Sequence, residues 1–145
     1  MERTEELRAS LTAAFPLREI IVDVGGREIR LTTAEDLEAL ISGLSSDAFN
    51  VDERLPYWAE LWHSAVALAA VVAEQAPRFQ GVDTIEIGCG LGLPGIVAAS
   101  VGARVVFSDY DDIALLAAEL NLRDNLPFVE AEFLLLDFRQ PPARQ

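Results

Sequence analysis

Apolar residues along the chain recur at two spacings, and the switches between them mark out the elements. Residues 4–14 carry Leu7, Leu11 and Ala14 at helical spacing, which predicts a short helix. Residues 18–33, REIIVDVGGREIRLTT, alternate apolar and polar positions on both sides of Gly25-Gly26. That pair tolerates the positive φ of a two-residue turn, so the stretch predicts a β-hairpin. Residues 34–44 return to helical spacing, with Leu37, Leu40, Ile41 and Leu44 on one face. Residues 45–53 are polar and predict a loop. We place there the boundary between an N-terminal appendage, residues 1–50, and a main domain, residues 51–145.

In the main domain, residues 56–76 predict the longest helix. Pro56 suits its first turn, Pro77 closes it, and Trp58, Leu61, Trp62, Ala65, Leu68, Ala69 and Val72 share a broad apolar face. A strand over 82–87 runs into a glycine-rich loop, and a helix over 94–101 stops at Gly102. A second strand, 104–108, ends at Asp109. Asp112 is placed to cap a helix running to about Arg123, with Ile113, Leu116, Ala117 and Leu120 on one face. Residues 129–136 predict a third strand. The order β-α-β-α-β with short links predicts an α/β fold, a doubly wound, Rossmann-like parallel sheet preceded by helices and a hairpin.

Composition narrows the function classes. A chain of 145 residues with 51% hydrophobic residues can bury a real core. The longest uninterrupted apolar run, Ala65 to Ala73, falls well short of the ~20 residues of a membrane span, so no membrane partner is expected. The start, MERTEELRAS, has no apolar signal core, and the single cysteine cannot form an internal disulfide. Both fit a cytoplasmic location. The net charge of −13 disfavours nucleic acid and favours a basic protein or a small cation. Oligomeric state is left open.

The candidate chemistry gathers at the strand ends, where such sheets bind ligands. The loop IEIGCGLGLPG, residues 85–95, fits two fingerprints. Gly90 to Gly95 read G-x-G-x-x-G, the dinucleotide pattern, and Glu86 to Gly92 read E-x-G-x-G-x-G. Missing side chains at Gly88, Gly90 and Gly92 let backbone approach a ligand, and N–H groups at the next helix start can donate to it. Asp109, about twenty residues after the loop begins, can accept both hydroxyls of a ribose. Asp137-Phe138, a carboxylate beside an aromatic ring, suits an adenine. Together they outline a site for an adenosine-bearing cofactor. The dinucleotide pattern does not demand Glu86, and an acidic setting suits a sulfonium cation better than a pyrophosphate. Plainer roles stand beside these: Trp62 as core packing, Asp137 as a solvated acid, His63 as a helix-surface residue, and Asp109, Asp111 and Asp112 as capping acids. Cys89 fits best as a small residue beneath the loop. No His/Cys cluster has metal-ligand spacing, so no metal is expected.

The blocks LPYWAELWHSAVALA, IEIGCGLGLPGIVAA, VVFSDYDDIALLAAELN and LLLDFRQPP, in this order, resemble the seven-strand (class I) S-adenosyl-L-methionine-dependent methyltransferases. The closer likeness is to the lysine methyltransferase branch that includes the electron-transfer-flavoprotein β-subunit enzymes and their bacterial relatives. The resemblance covers residues 55–142. It implies S-adenosyl-L-methionine as cofactor and methylation of a protein lysine. Trp62 matches the tryptophan lining the cofactor pocket, Gly88, Cys89 and Gly90 the loop beneath the methionine moiety, and Asp109 the ribose-binding acid. Asp137 matches the acid near the adenine, and Phe138 stands where relatives usually carry tryptophan. The family's sheet order is 3-2-1-4-5-7-6, and the sequence stops at Gln145, just after the third strand. The resemblance therefore implies a C-terminally truncated piece, inactive alone, with its catalytic and substrate-side residues beyond Gln145. Alternatives are a dinucleotide-dependent oxidoreductase, a non-catalytic cofactor-binding remnant, or an enzyme acting on a small-molecule amine.

Overall fold

The computed structural model describes residues 1–43 and 55–141. Helix α1 spans Glu2–Ala14 and buries Leu7 and Leu11, one turn apart. Ala14, expected on the same face, is exposed. Strands β1 (Leu17–Val24) and β2 (Arg27–Ala34) pair antiparallel in full register, Leu17 with Ala34 through Val24 with Arg27. Gly25 and Gly26 turn the chain with φ of 60° and 82°, as the hairpin requires.

Helix α2 is shorter than the periodicity predicts, Leu37–Ser42 rather than residues 34–44. Ala34 belongs to β2, and Asp36 caps the helix by accepting a hydrogen bond from the Ala39 N–H at 3.0 Å. Leu44 and the loop expected over 45–53 lie outside the described residues.

The helix expected over 56–76 is broken. Tyr57–Ala59 form a 3-10 turn, Glu60 and Trp62 are extended, and helix α3 runs only from His63 to Glu74. Two side chains hold the break. The Trp62 indole donates to the Tyr57 carbonyl at 3.0 Å, and the Thr33 hydroxyl of β2 donates to the Ala59 carbonyl at 2.7 Å. Trp58 is buried against the Phe15 ring, 5.7 Å between centroids. Trp62 and Leu68, expected on the same apolar face, instead remain 49% and 52% exposed.

The rest follows the predicted alternation: β3 (Asp83–Ile87), α4 (Leu93–Ser100), β4 (Arg104–Asp109), α5 (Asp112–Asn125) and β5 (Glu132–Leu135). The three strands form one parallel sheet in the order β3-β4-β5. Asp111, not Asp112, caps α5 through the Ile113 N–H at 2.9 Å. Strand β5 starts late because Val129 is still turning, its N–H bonded to the Leu126 carbonyl. Glu86, Phe107 and Phe133 are register partners across the sheet, and the two phenyl rings stack at 5.2 Å. Their face is the one α4 and α5 cover, since a side chain at Gly92 would meet Ala118 and Phe107. On the opposite face of β3, Ile85 and Ile87 are 50% and 57% exposed, so among the described residues the helices cover one face of the sheet.

The hairpin and α1 pack onto α5. The Arg3 guanidinium grips Glu119 through two bonds of 3.1 and 2.9 Å, and Asn121 and Asn125 reach the β2 backbone at Thr32 and Arg30.

Candidate active site

A cleft of about 560 Å³ opens at the C-terminal end of β3 and β4. Its floor is the glycine loop with the end of β3, Ile85 and Ile87 included, and its walls come from the 3-10 turn, α3 and the start of α4. Gly88, Gly90 and Gly92 all have positive φ, a conformation that residues with side chains rarely adopt, so the loop turns only with glycine at these positions.

The loop is tied down at both ends. The Cys89 N–H donates to the Ser108 carbonyl at 2.9 Å, extending the parallel ladder past β3. The Gly90 N–H donates to Oδ2 of Asp109 at 3.0 Å, and Oδ1 of the same carboxylate accepts the Asp111 N–H at 3.0 Å. Asp109 is buried, and each of its oxygens keeps acceptor capacity for a ligand donor. The Leu91 carbonyl accepts from Nδ2 of Asn121 at 3.1 Å. At the other end, the Gly95 N–H in the first turn of α4 donates to Oε2 of Glu86 at 2.8 Å. Gly95 must lack a side chain, because a Cβ there would collide with the Phe107 ring and the Glu86 carboxyl.

The site is anionic. Glu60, Glu86, Asp109 and Asp111 line the cleft, and no Arg or His is among its described lining residues. Burial pushes the Glu86 carboxyl up to about 8; its hydrogen bond from Gly95 pulls the other way, and the Asp109 charge adds to the rise. Burial first, then the Glu86 and Asp109 charges, also push the Cys89 thiol up. That buried thiol is protonated at neutral pH and is no nucleophile. Among the described residues no group of three or more His, Cys, Asp or Glu could hold a metal.

Of the nine residues singled out from the sequence, the cleft gathers seven: Trp62, Glu86, Gly88, Cys89, Gly90, Gly92 and Asp109. Trp62 stands at the mouth, edge-on to Tyr57 at 5.9 Å. Asp137 and Phe138 follow β5 beside Asp109, whose carbonyl accepts the Leu136 N–H at 2.8 Å, but they do not line the cleft. The Asp137 carboxylate is bonded by Arg139, whose guanidinium lies over Tyr110, and Phe138 is 61% exposed. Sequence reasoning missed Asn121 as a support of the loop. Its signal was a polar residue continuing the apolar stripe of 113 and 117. It likewise missed why position 95 must be glycine, since that reason lies in two other strands.

Residues 53–140 match the family model described as lysine methyltransferase. Protein N-lysine methyltransferase METTL21A of Xenopus tropicalis is 39% identical over 69 residues, covering 48% of this chain and 32% of that protein. The electron transfer flavoprotein beta subunit lysine methyltransferase homolog of Caenorhabditis elegans is 35% identical over 71 residues, 48% of this chain and 29% of that protein. EEF1A lysine methyltransferase 3 of Mus musculus is 34% identical over 105 residues, 70% of this chain and 45% of that protein. The matched stretch therefore spans less than half the length of each of these relatives. A glycine loop tied to an acidic strand end, preceded by the Trp62 turn, is the part that aligns with the family model, and the chain belongs to the lysine methyltransferase family.

Proposed function

We propose that this chain carries the cofactor half of an S-adenosyl-L-methionine-dependent methyltransferase acting on protein lysine. The observation that carries the reading is the start of α4. Pro94 has no N–H, and the Gly95 N–H is already taken by Glu86. A pyrophosphate needs those donors and would meet the carboxyl groups of Glu60, Glu86, Asp109 and Asp111, with no Arg or His among the described lining residues. A sulfonium and an ammonium fit the same charges. The dinucleotide alternative is therefore disfavoured.

When bound, S-adenosyl-L-methionine supplies an electrophilic methyl group that a neutral amine takes by in-line displacement. This chain's residues bind and orient. Gly88, Cys89 and Gly90 offer bare backbone to the methionine portion. Asp109 offers its remaining lone pairs to the ribose hydroxyls, and Trp62 closes the mouth. Asp137 and Phe138 stand at the same sheet edge for the adenine. Such a reaction rests on positioning, and on keeping the amine uncharged and out of water. A protein substrate is supported by the names of the relatives, and a basic one by the net charge of −13. A cytoplasmic location belongs to the same reading and rests on the single cysteine, buried and free.

The experiment is transfer of radiolabelled methyl from S-adenosyl-L-methionine to lysine-containing proteins by the complete gene product. Label recovered as methyl-lysine, and lost in Asp109→Ala, is the expected result. Label absent from every protein but present on small amines would overturn the substrate class.

A further inference from the structure

We propose that Thr33, on the N-terminal hairpin, is a positioning residue of the cofactor cleft: its hydroxyl holds the break between the 3-10 turn and α3, and the break sets Glu60 and Trp62 at the mouth. This role rests on the cofactor reading above. It adds to that reading a residue that does not line the cleft and that precedes the matched stretch, residues 53–140.

Nothing in the local sequence breaks this helix. Residues 57–76 contain neither glycine nor proline, and their apolar positions keep helical spacing across the break. A break in such a stretch needs a cause from outside it, such as a side chain entering the backbone ladder. Thr33 is that side chain. It is 1% exposed, and its hydroxyl donates to the Ala59 carbonyl at 2.7 Å. In a continuous helix the same carbonyl would accept the His63 N–H. The hydroxyl takes that place, and α3 begins at His63 with Glu60 and Trp62 extended before it. The donor is itself held. The N–H and carbonyl of its neighbour Thr32 both bond Asn121, whose amide also reaches the Leu91 carbonyl of the glycine loop. Turn and loop also meet directly, since a Cβ on Gly90 would lie 3.7 Å from the Trp58 backbone. Two neighbouring residues of β2 thereby fix the mouth and the floor of the cleft relative to each other.

The continuous helix is the competing conformation, and it would rebuild the mouth. The Tyr57 carbonyl would turn to the Leu61 N–H, and the Trp62 indole would lose its acceptor. Trp62 would move onto the face of Trp58, one turn away, which is buried against Phe15. Glu60 would turn with the same backbone. Removal of the Thr33 hydroxyl frees the Ala59 carbonyl for the helix and shifts the balance toward that form.

The test is titration calorimetry with S-adenosylhomocysteine, beside far-UV circular dichroism, on the wild type, Thr33→Val, Thr33→Ser, Glu60→Gly and the double variant Thr33→Val with Glu60→Gly. Valine keeps the branched shape of threonine and lacks the donor. Thr33→Val is expected to bind about five- to tenfold more weakly, the fold-change of one hydrogen bond, and to gain helical signal as residues 57–62 join α3. Thr33→Ser keeps the donor and should return both readings to wild type. The Glu60→Gly change disfavours a continuous helix, so the double variant should bind nearly as well as Glu60→Gly alone and show no extra helical signal. A merely structural role would lower the stability of Thr33→Val and leave its affinity and helical signal at wild-type values; that result overturns the proposal and leaves the cofactor reading standing. The same holds if Thr33→Val costs as much affinity in the Glu60→Gly background as in the wild type, or if Thr33→Val does not fold, since the continuous helix would then be no native alternative. Failure of the wild type to bind S-adenosylhomocysteine overturns the cofactor reading and this role with it.

Discussion

At the residue scale the site is a set of backbone N–H groups held by carboxylates. Asp109 was readable from its place at a strand end, but its hold on Gly90 and Asp111 was not, because those bonds depend on the loop folding back. Asp109→Ala is expected to weaken S-adenosylhomocysteine binding by about 1–3 kcal/mol, the range for a hydrogen bond to a charged group. Calorimetry checks this, and an unchanged affinity in a folded variant would remove the ribose role. Gly95→Ala forces a methyl group into Phe107 and Glu86. Overpacking of this kind costs about 1–3 kcal/mol, which urea unfolding will show as a lowered midpoint. Glu119 supplies the pH dependence. Burial raises its pKa, but hydrogen bonds and charge from Arg3 and Arg123 outweigh that and hold it below the ordinary 4.5. Its folded value is depressed, so its stabilisation is present above the unfolded value and is lost as pH falls through the folded one. Glu119→Gln should unfold more easily than wild type at pH 7, and the gap should close in acid. A gap that persists below pH 3 would show that the ion pair is not its source.

At the element scale the sequence pattern located every described helix and strand, and its errors share one cause. Periodicity reports which positions are apolar, not where the backbone bends. Trp58 and Trp62 sit at helical spacing, yet a 3-10 turn and an extended link separate them, fixed by Thr33 from the distant hairpin. No window around residue 60 contains that information. The same holds for Asn121 in α5. It accepts from the Thr32 N–H at 2.7 Å and donates to the Thr32 and Leu91 carbonyls, joining the hairpin to the glycine loop from a fully buried position. Asn121→Leu leaves these three backbone groups without their partner. A buried unsatisfied group costs about 1–3 kcal/mol, so the variant should lose at least that much stability and also bind cofactor more weakly. Normal stability with normal binding would mean that the hairpin and the loop are not coupled through this residue.

At the scale of the whole molecule, the parallel order β3-β4-β5 puts the loop, Asp109 and the end of β5 along one edge, and that arrangement was legible from the β-α-β-α-β order. How the first elements dock was less legible, since it depends on Arg3, Asn121 and Asn125 meeting α5 and β2 across the fold. The open face of β3, with Ile85 and Ile87 half exposed, is an apolar surface beside a strand edge that pairs with no strand among the described residues. The polypeptide is expected to self-associate, and Ile85→Lys with Ile87→Lys should shift it toward monomer in sedimentation velocity. The central claim is that the acidic glycine-loop cleft is built for S-adenosyl-L-methionine. Titration calorimetry with S-adenosylhomocysteine and with NAD, side by side on the same preparation, tests it most directly. Saturable binding of S-adenosylhomocysteine, with none of NAD, is the predicted result, and saturable binding of NAD with none of S-adenosylhomocysteine would contradict it.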